Sequence, residues 1–325
     1  MHIPDNYLSP TTCAVMGAAM VPVWKKAVKK VQEEIPREKL PMLGVGAAFS
    51  FLMMMFNVPL PGGTTGHAVG GTLLAILIGP YAACLSVTVA LFIQAVLFGD
   101  GGILAFGANC FNMAFILPFT GYYIYSFIKS KLNSPSGESL GILIGSYIGI
   151  NVAAFLTAVE FGIQPLLFKD ALGQALYCPY PLSVSIPAMM IPHILMAGVV
   201  EAVFTLAIIA YIRRVSPGTL YEGKRERPNS IMALVVLLIC LTPLGLIASG
   251  TAWGEWGSDE IHQVVSQGET LGYTPHGMAE GFGFNAMMPD YTIGGLPEII
   301  GYVLSAVAGA SLLIIVFKLM GVKHA

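Results

Sequence analysis

Charged residues are scarce in this chain of 325 residues: Asp, Glu, Lys and Arg make up 10% of it, against about 25% in an ordinary soluble domain. Hydrophobic residues make up 55%, and the mean hydropathy is +0.75. This composition excludes a soluble globular domain and indicates a protein that crosses a membrane several times. The 16 basic and 18 acidic residues nearly balance, which excludes a nucleic-acid binder.

Cysteine is also rare, with five residues that share no C-x-x-C spacing. This excludes a disulfide framework and a thiolate metal site. The sequence contains no G-x-x-x-x-G-K-[ST] nucleotide loop and no H-E-x-x-H zinc motif, and no pair of interrupted spans typical of inverted-repeat transporters. If the protein moves a solute uphill, another protein must supply the energy.

Long apolar segments are abundant. A membrane-spanning helix needs about 20 apolar residues, and nine segments come near this length. We predict an all-α, polytopic helical membrane bundle with spans at residues 10–24, 40–60, 68–80, 81–98, 108–128, 140–159, 187–212, 231–250 and 296–317. The third segment is short, and the Gly79-Pro80 pair at its end predicts a tight turn into the fourth.

The positive charges predict the side of the membrane on which each loop lies. Every Lys and Arg except Lys169 falls in loops 25–39, 129–139 and 213–230 or in the C-terminal tail. Short positive loops stay in the cytoplasm during insertion, so nine spans place the N-terminus outside and the C-terminus inside. No basic residue precedes the first apolar stretch, so we expect no signal peptide and a free amine at Met1.

Loop 213–230 is rich in Pro, Gly, Ser and charge, which is typical of a linker. It divides the chain into residues 1–225, with about seven helices, and residues 226–325, with two helices and a long outer loop. That loop, residues 251–295, contains six acidic residues and no Lys or Arg. Two interpretations stay open: the positive-inside rule alone leaves such a loop acidic, or the loop concentrates cations near an entrance.

The first two residues form a chelating arrangement. The N-terminal amine of Met1 and the backbone nitrogen of His2 would close a five-membered ring on a metal ion. That backbone nitrogen and Nδ1 of the same histidine would close a six-membered ring. A fourth nitrogen completes a square plane, which is typical of Ni²⁺ or Cu²⁺, and His67 at the outer face is the candidate. Pro4 and Asp5 favour a turn that returns the terminus to the protein.

Both histidines also have simpler interpretations, because His2 could belong to a disordered terminus and His67 could end a helix. Polar side chains inside predicted spans are further candidates, since their burial in a membrane is costly and they usually face an interior site. They would orient a liganding imidazole or line an ion pathway. For the two asparagines, hydrogen bonding between helices is an equal alternative. The set comprises Asn109, Asn112, Glu160, His193 and Glu201.

Four segments carry a family resemblance: MHIPDNYLSP, PGGTTGHAVGG, GDGGILAFGANCFNMAF and IPHILMAGVVEAVFT. Together they resemble the CbiM/NikM family, the substrate-binding (S) components of energy-coupling-factor transporters for cobalt and nickel, over most of residues 1–212. Asn6 stands where the family usually has Gly. Residues 226–325, with PLGLIASGTAWGEWG, resemble the small partner subunit CbiN/NikN, here fused.

The resemblance implies that Met1, His2 and His67 bind one Ni²⁺ or Co²⁺ ion as transported substrate, with no catalytic cofactor and no enzymatic activity in this chain. It implies a multi-pass protein of the bacterial or archaeal cell membrane. The implied partners are a membrane coupling (T) subunit and two cytoplasmic ATPase (A) subunits, with the fused region assisting metal loading.

Two alternatives belong to other classes. The leading one is an ATP-independent cation channel or facilitator whose acidic loop collects ions. The other is a membrane-embedded metalloenzyme, which a filled square plane disfavours because it leaves no open coordination position.

Overall fold

The computed structural model describes residues 1–60, 64–215, 229–248, 250–266 and 269–321. Its helices confirm the predicted all-α membrane bundle. They are α1 (Pro10–Glu34), α2 (Leu40–Met54), α3 (Gly71–Ile78), α4 (Pro80–Ile93), α5 (Phe106–Asn109), α6 (Leu117–Leu132), α7 (Pro135–Leu167), α8 (Leu182–Pro192), α9 (Gly198–Val215), α10 (Asn229–Leu241), α11 (His276–Ala279) and α12 (Glu298–Gly321).

Wider π-helical turns continue three of these helices. They occupy Gln94–Phe98 after α4, Cys110–Ile116 between α5 and α6, and His193–Ala197 between α8 and α9. Short 3₁₀ turns lie at Arg37–Lys39, Thr242–Ile247, Ile261–Gln263 and Pro289–Tyr291. The strands form two small antiparallel hairpins, β1 (Val58–Leu60) with β2 (Thr64–Gly66), and β3 (Val265–Ser266) with β4 (Glu269–Thr270).

Each of the nine predicted segments contains helix, but the helices differ in length. Among the described residues, four continuous helices are long and apolar enough to span a membrane: Pro80–Phe98, Pro135–Leu167, Leu182–Val215 and Glu298–Gly321. Helix α3 has only eight residues and is about 12 Å long, well short of a hydrocarbon core of about 30 Å. The count of nine spans and their orientation therefore stay predictions.

The two ends of α7 define the two ends of the bundle. At its start, Glu138 lies 3.4 Å from Nζ of Lys129 and 2.5 Å from a guanidinium nitrogen of Arg213, so basic helix ends meet there. Near its other end, Gln164 accepts a hydrogen bond from the backbone of Ser9 at 3.0 Å. Glu138 and Gln164 are 26 residues apart in α7, so about 40 Å of helix separates the basic end from the N-terminal segment.

Small residues allow close contact between α7 and α6. A Cβ atom at Gly145 would lie 2.5 Å from the carbonyl oxygen of Gly121, and one at Gly149 would lie 2.8 Å from that of Leu117. Gly145 and Gly149 therefore pack against α6 of the same chain. The linker residues 216–228, with Lys224, Arg225 and Arg227, the Pro61–Gly63 stretch and Lys323 lie outside the described residues.

The C-terminal region, residues 226–325, packs on α2 through α12. Phe51 of α2 lies against Gly309, where a Cβ atom would be 2.4 Å from its ring. The hydroxyl of Tyr302 donates to the carbonyl oxygen of Met55 at 2.6 Å. The acidic loop that precedes α12 contacts the N-terminal segment, since Glu255 lies against the amine of Met1 and Trp256 accepts a hydrogen bond from the hydroxyl of Tyr7.

Candidate metal centre

The N-terminal segment is buried in the protein rather than disordered. Met1, His2 and Ile3 are 5%, 2% and 0% exposed. The side chain of Asn109 pairs with the backbone of Ile3 as a strand would: Oδ1 accepts from the N–H at 2.8 Å, and Nδ2 donates to the carbonyl oxygen at 3.0 Å. Gly102 donates a further hydrogen bond to that oxygen at 2.8 Å.

The predicted turn follows these residues. The carboxylate of Asp5 accepts hydrogen bonds from the backbone N–H groups of Ile103 and Leu104 at 3.0 and 2.7 Å. Asn6 has a φ of 69°, a left-handed conformation that Gly and Asn adopt most readily. The turn therefore depends on the residue that stands where the family usually has Gly, and Asp5 fixes it to the loop before α5.

The two candidate histidines meet. Nε2 of His67 lies 3.3 Å from Nδ1 of His2, and the ring centroids are 5.0 Å apart. Nδ1 of His67 lies 3.2 Å from the carbonyl oxygen of Ala68, which favours the neutral ring with its proton on Nδ1 and the Nε2 lone pair facing His2. The β1–β2 hairpin, which ends at Gly66, places His67 at this position.

Two carboxylates contact the candidate nitrogen ligands. The N-terminal amine of Met1 lies 3.1 Å from Oε1 of Glu255, and Nδ1 of His2 lies 3.0 Å from Oδ1 of Asp100. Glu255 belongs to the acidic loop before α12, so the C-terminal region reaches the site itself.

Burial keeps both rings neutral near pH 7. Burial first, and the positive amine nearby second, lower the pKa of His2 to about 4. Burial likewise lowers the pKa of His67 well below its usual value, and the neighbouring His2 adds to this effect. Neutral imidazole is the form that binds a metal ion, so neither ring would have to lose a net proton to act as a ligand.

Glu201 lies behind the loop that carries His67. It is fully buried, and its carboxylate accepts hydrogen bonds from the backbone N–H groups of Val69, at 2.8 Å, and Gly70, at 3.1 Å. Gly70 has a φ of 73°, a conformation that glycine adopts without strain. A buried carboxylate with two such partners fixes the path of the chain just after His67.

His193 lies on the other side of the site. Its Nδ1 lies 2.7 Å from the carbonyl oxygen of Met189. A small cavity beside it is bordered by Met1, Thr65 and Trp253, with room for about one water-sized particle. His193 is therefore a neighbour of the candidate centre.

Asn112 makes a different set of contacts. Its Nδ2 donates to Thr157 at 3.1 Å and to Glu160 at 2.9 Å, both on α7. Asn112 therefore makes hydrogen bonds between helices, which was the alternative interpretation given for the two asparagines.

The described side chains of His, Cys, Asp and Glu include no group of three arranged to hold a metal ion by themselves. The candidate centre therefore depends on the amine and the backbone nitrogen of His2 together with the two rings.

The family model for the cobalt uptake substrate-specific transmembrane region, CbiM, matches residues 2–219. The chain belongs to the CbiM family. A second model, for the PDGLE domain, matches residues 227–324. This CbiM-family chain is a multi-pass prokaryotic membrane protein of metal transport.

Two curated relatives match nearly the whole chain. A probable fused nickel transport protein LarMN of Lactiplantibacillus plantarum is 52% identical over 100% of this chain and 98% of its own. A fused nickel transport protein NikMN of Rhodobacter capsulatus is 44% identical over 97% and 95%. A crystal structure titled as a truncated transition metal transporter is 58% identical, has a TM-score of 0.63, and covers 66% of this chain and 99% of its own.

Sequence reasoning missed four side chains at the centre of this CbiM-family protein. Asp100 lies two residues after predicted span four, Gln94 lies within that span, and Glu255 and Tyr291 lie in the acidic loop before α12. The isolated acidic residue in GDGG was the one available signal for Asp100. Local sequence carries no signal that pairs residue 2 with residue 100 or residue 1 with residue 255.

Proposed function

We propose that this chain is the substrate-binding component of an energy-coupling-factor importer for divalent transition-metal ions, Ni²⁺ or Co²⁺. The observation that carries the proposal is the convergence of the Met1 amine, His2 and His67 in one buried site. Four nitrogens from these three residues would complete a square plane around one ion.

The separation of the two rings is suited to this role. Adjacent ligands at about 2.0 Å from a metal in a square plane are about 2.8 Å apart. The ring nitrogens of His2 and His67 are 3.3 Å apart, so a shift of about half an ångström would bring both onto one ion. The chelate places His67 opposite the backbone nitrogen of His2, with its nitrogen adjacent to both the amine and Nδ1.

Glu255 would accept a hydrogen bond from the amine of Met1 both before and after the ion binds. A charged amine pairs with the carboxylate at 3.1 Å, and a metal-bound amine still has two N–H groups that can donate to it. Binding must release one proton from the charged amine and another from the backbone N–H of His2, since each nitrogen has a lone pair for the metal only after losing that proton.

We further assign residues 1–225 to the metal-binding membrane domain and residues 226–325 to a CbiN/NikN-like domain that assists loading. The first family match ends and the second begins within the linker, at residues 219 and 227, which supports this division. A membrane coupling subunit and two ATPase subunits would supply the energy, consistent with a sequence that has no nucleotide loop.

Metal binding by the purified full chain tests the site. His67→Ala should weaken Ni²⁺ binding more than about 100-fold, because losing a ligand exceeds the 10–100-fold effect of groups around ligands. His276→Ala is the matched control, since that histidine is 68% exposed and should bind as the wild type. Equal affinity of the His67→Ala and wild-type proteins would contradict the proposal.

Blocking the amine tests the chelate. Two residues added before Met1 should abolish high-affinity binding. Two are needed because one added residue would place the histidine third, where the amine, two backbone nitrogens and the ring can fill a square plane without His67. Full affinity in the extended protein would exclude the amine as a ligand.

Uptake assays separate an importer subunit from a facilitator. Cells that express this chain alone should not accumulate Ni²⁺ or Co²⁺ against a gradient, whereas cells that also express coupling and ATPase subunits should. Sustained accumulation by the chain alone would contradict the subunit assignment.

A further inference from the structure

A hydrogen-bonded group from two parts of the chain surrounds His2. Asp100 contacts Nδ1 of His2 through Oδ1 at 3.0 Å. Its other oxygen, Oδ2, accepts hydrogen bonds from Nε2 of Gln94, at 3.0 Å, and from the hydroxyl of Tyr291. Gln94 also donates to that hydroxyl at 2.9 Å. The C-terminal region thus contributes Tyr291 to a group that touches a candidate ligand.

Tyr291 has an unusual backbone. Its φ is 60° and that of Asp290 is 50°, and positive φ values are rare for residues with bulky side chains. Such strain persists only where the surroundings hold it, and it concentrates at functional sites. The strained turn points the hydroxyl of Tyr291 at Asp100.

The surroundings of Tyr291 hold it firmly. Its ring stacks on Phe98 with centroids 4.7 Å apart and planes inclined by 23°. Its carbonyl oxygen accepts a hydrogen bond from Ser305 of α12 at 3.0 Å. Two residues before the turn, the backbone N–H of Met288 donates to the carbonyl oxygen of Leu97 at 2.8 Å. The loop that carries Tyr291 is therefore fixed to the π-helical turn after α4, just before Asp100.

Two buried atoms in this group, Nε2 of His2 and Oε1 of Gln94, have no hydrogen-bond partner among the described residues. The side chain of Gln94 interacts with the His2 ring, so the two atoms belong to neighbouring groups. A neutral imidazole that binds a metal ion through Nδ1 carries its single proton on Nε2, and liganding histidines usually donate that proton to a nearby acceptor. Oε1 of Gln94 is a suitable acceptor.

We propose that Asp100, held by Tyr291 and Gln94, is a positioning residue for the metal site, through which the C-terminal region sets the orientation of His2. This inference rests on the proposed function. Asp100 keeps Nδ1 of His2 facing His67 until the ion arrives. Its negative charge then stays beside the bound cation, while Gln94 accepts from the far side of the ring.

Removal of one hydroxyl group tests this role. In the full chain, Tyr291→Phe keeps the stacking on Phe98 and loses the hydrogen bond to Asp100. Ni²⁺ binding should weaken about 10-fold, the lower end of the range for groups around metal ligands. The absorption bands of the bound Ni²⁺ should also shift, because the orientation of a ligand ring has changed.

Tyr302→Phe is the matched control. Tyr302 lies in the same aromatic cluster, 5.5 Å from Tyr291 between ring centroids, but its hydroxyl donates to Met55. This variant should match the wild type within about twofold in affinity and in spectrum. Tyr291→Phe and Tyr302→Phe proteins that both bind and absorb as the wild type would overturn the inference.

Asp100→Asn is the second variant, and it decides the matter if Tyr291→Phe does not fold. It keeps the size of the side chain and removes the charge, so affinity should fall about 10–100-fold. If the wild type binds Ni²⁺, His67→Ala does not, and Asp100→Asn binds as the wild type, the inference fails and the proposed function stands. If the wild type binds no Ni²⁺, both fail.

Discussion

Removing the side chain of Asn109 should release the N-terminal segment from the bundle. Asn109 is 3% exposed and makes two hydrogen bonds to the backbone of Ile3, which is fully buried. In Asn109→Ala the carbonyl oxygen of Ile3 keeps its hydrogen bond from Gly102. The N–H of Ile3 loses its only hydrogen-bond acceptor among the described residues, on a residue that is fully buried.

The free-energy cost of the substitution follows from the unpaired N–H of Ile3. A buried donor left without a partner costs about 1–3 kcal/mol, and the cost falls on the docked segment, because water serves the same N–H when the segment is released. A cost of about 2 kcal/mol changes the docking equilibrium about 30-fold. Ion affinity should fall by up to the same factor, since only the docked segment presents the amine and His2 beside His67.

Hydrogen exchange measures the docking equilibrium directly. In protein prepared without metal, the N-terminal peptide of Asn109→Ala should lose about 30-fold of its protection. Asn151→Ala is the matched control, because Asn151 donates within α7 to the carbonyl oxygen of Tyr147 at 2.7 Å. Unchanged protection of the N-terminal peptide in Asn109→Ala would refute the reasoning.

Two further predictions concern charge at the same segment. Burial lowers the pKa of His2 to about 4, whereas an exposed histidine titrates near 6.5. Between these two pH values the docked segment therefore binds fewer protons than the released segment. Docking should be complete above about pH 6.5 and weaken progressively towards pH 4. Hydrogen exchange of the N-terminal peptide across this range checks it, and protection that stays constant down to pH 4 would contradict it. Glu255→Gln should weaken Ni²⁺ binding several-fold by removing the charge 3.1 Å from the amine, at a site only 22% exposed and so partly screened by solvent. Glu260→Gln, on an exposed part of the same loop, should leave titrated affinity unchanged, and equal effects of the two substitutions would count against a specific role for Glu255.

Much of the helical fold could be predicted because an apolar run long enough to span a membrane has few other stable structures. The break between α3 and α4 was predictable from Gly79 and Pro80, since Gly79 has a φ of 86° and Pro80 begins the next helix. The lengths of the helices were less predictable. Helix α2 ends at Met54, and the end of predicted span two instead forms strand β1, which pairs with β2.

The different roles of Asn109 and Asn112 show where sequence reasoning stops. Three residues apart on a regular helix, they would lie on nearly the same face. A π-helical turn begins at Cys110, and its wider winding changes the register between them. Asn109 reaches Ile3, and Asn112 reaches Glu160 instead.

Part of the centre could be predicted from chemistry alone. The spacing of amine, backbone and ring nitrogens in the first two residues is set by covalent geometry, so the chelate could be derived without a fold. The partners of Asp100 and Glu255 could not, because they depend on contacts across 98 and 254 residues of chain. Glu201 was predictable in part. A carboxylate inside a predicted span indicated a functional or positioning role, but only the structure shows that its partners are the backbone N–H groups of Val69 and Gly70.

If the proposed function holds, release of the ion depends on the N-terminal segment more than on His67. Met1 and His2 would supply three of the four nitrogens, so movement of that segment removes most of the coordination at once, whereas movement of His67 removes one ligand. The hydrogen bonds of Asn109 to Ile3 and of Gln164 to Ser9 oppose a partial movement, because each breaks into a buried, unpaired group. The ion should therefore dissociate faster from Asn109→Ala than from the wild type, and stopped-flow chelation can measure this. An unchanged dissociation rate in a variant with a less protected N-terminal peptide would show that the ion leaves without this segment moving.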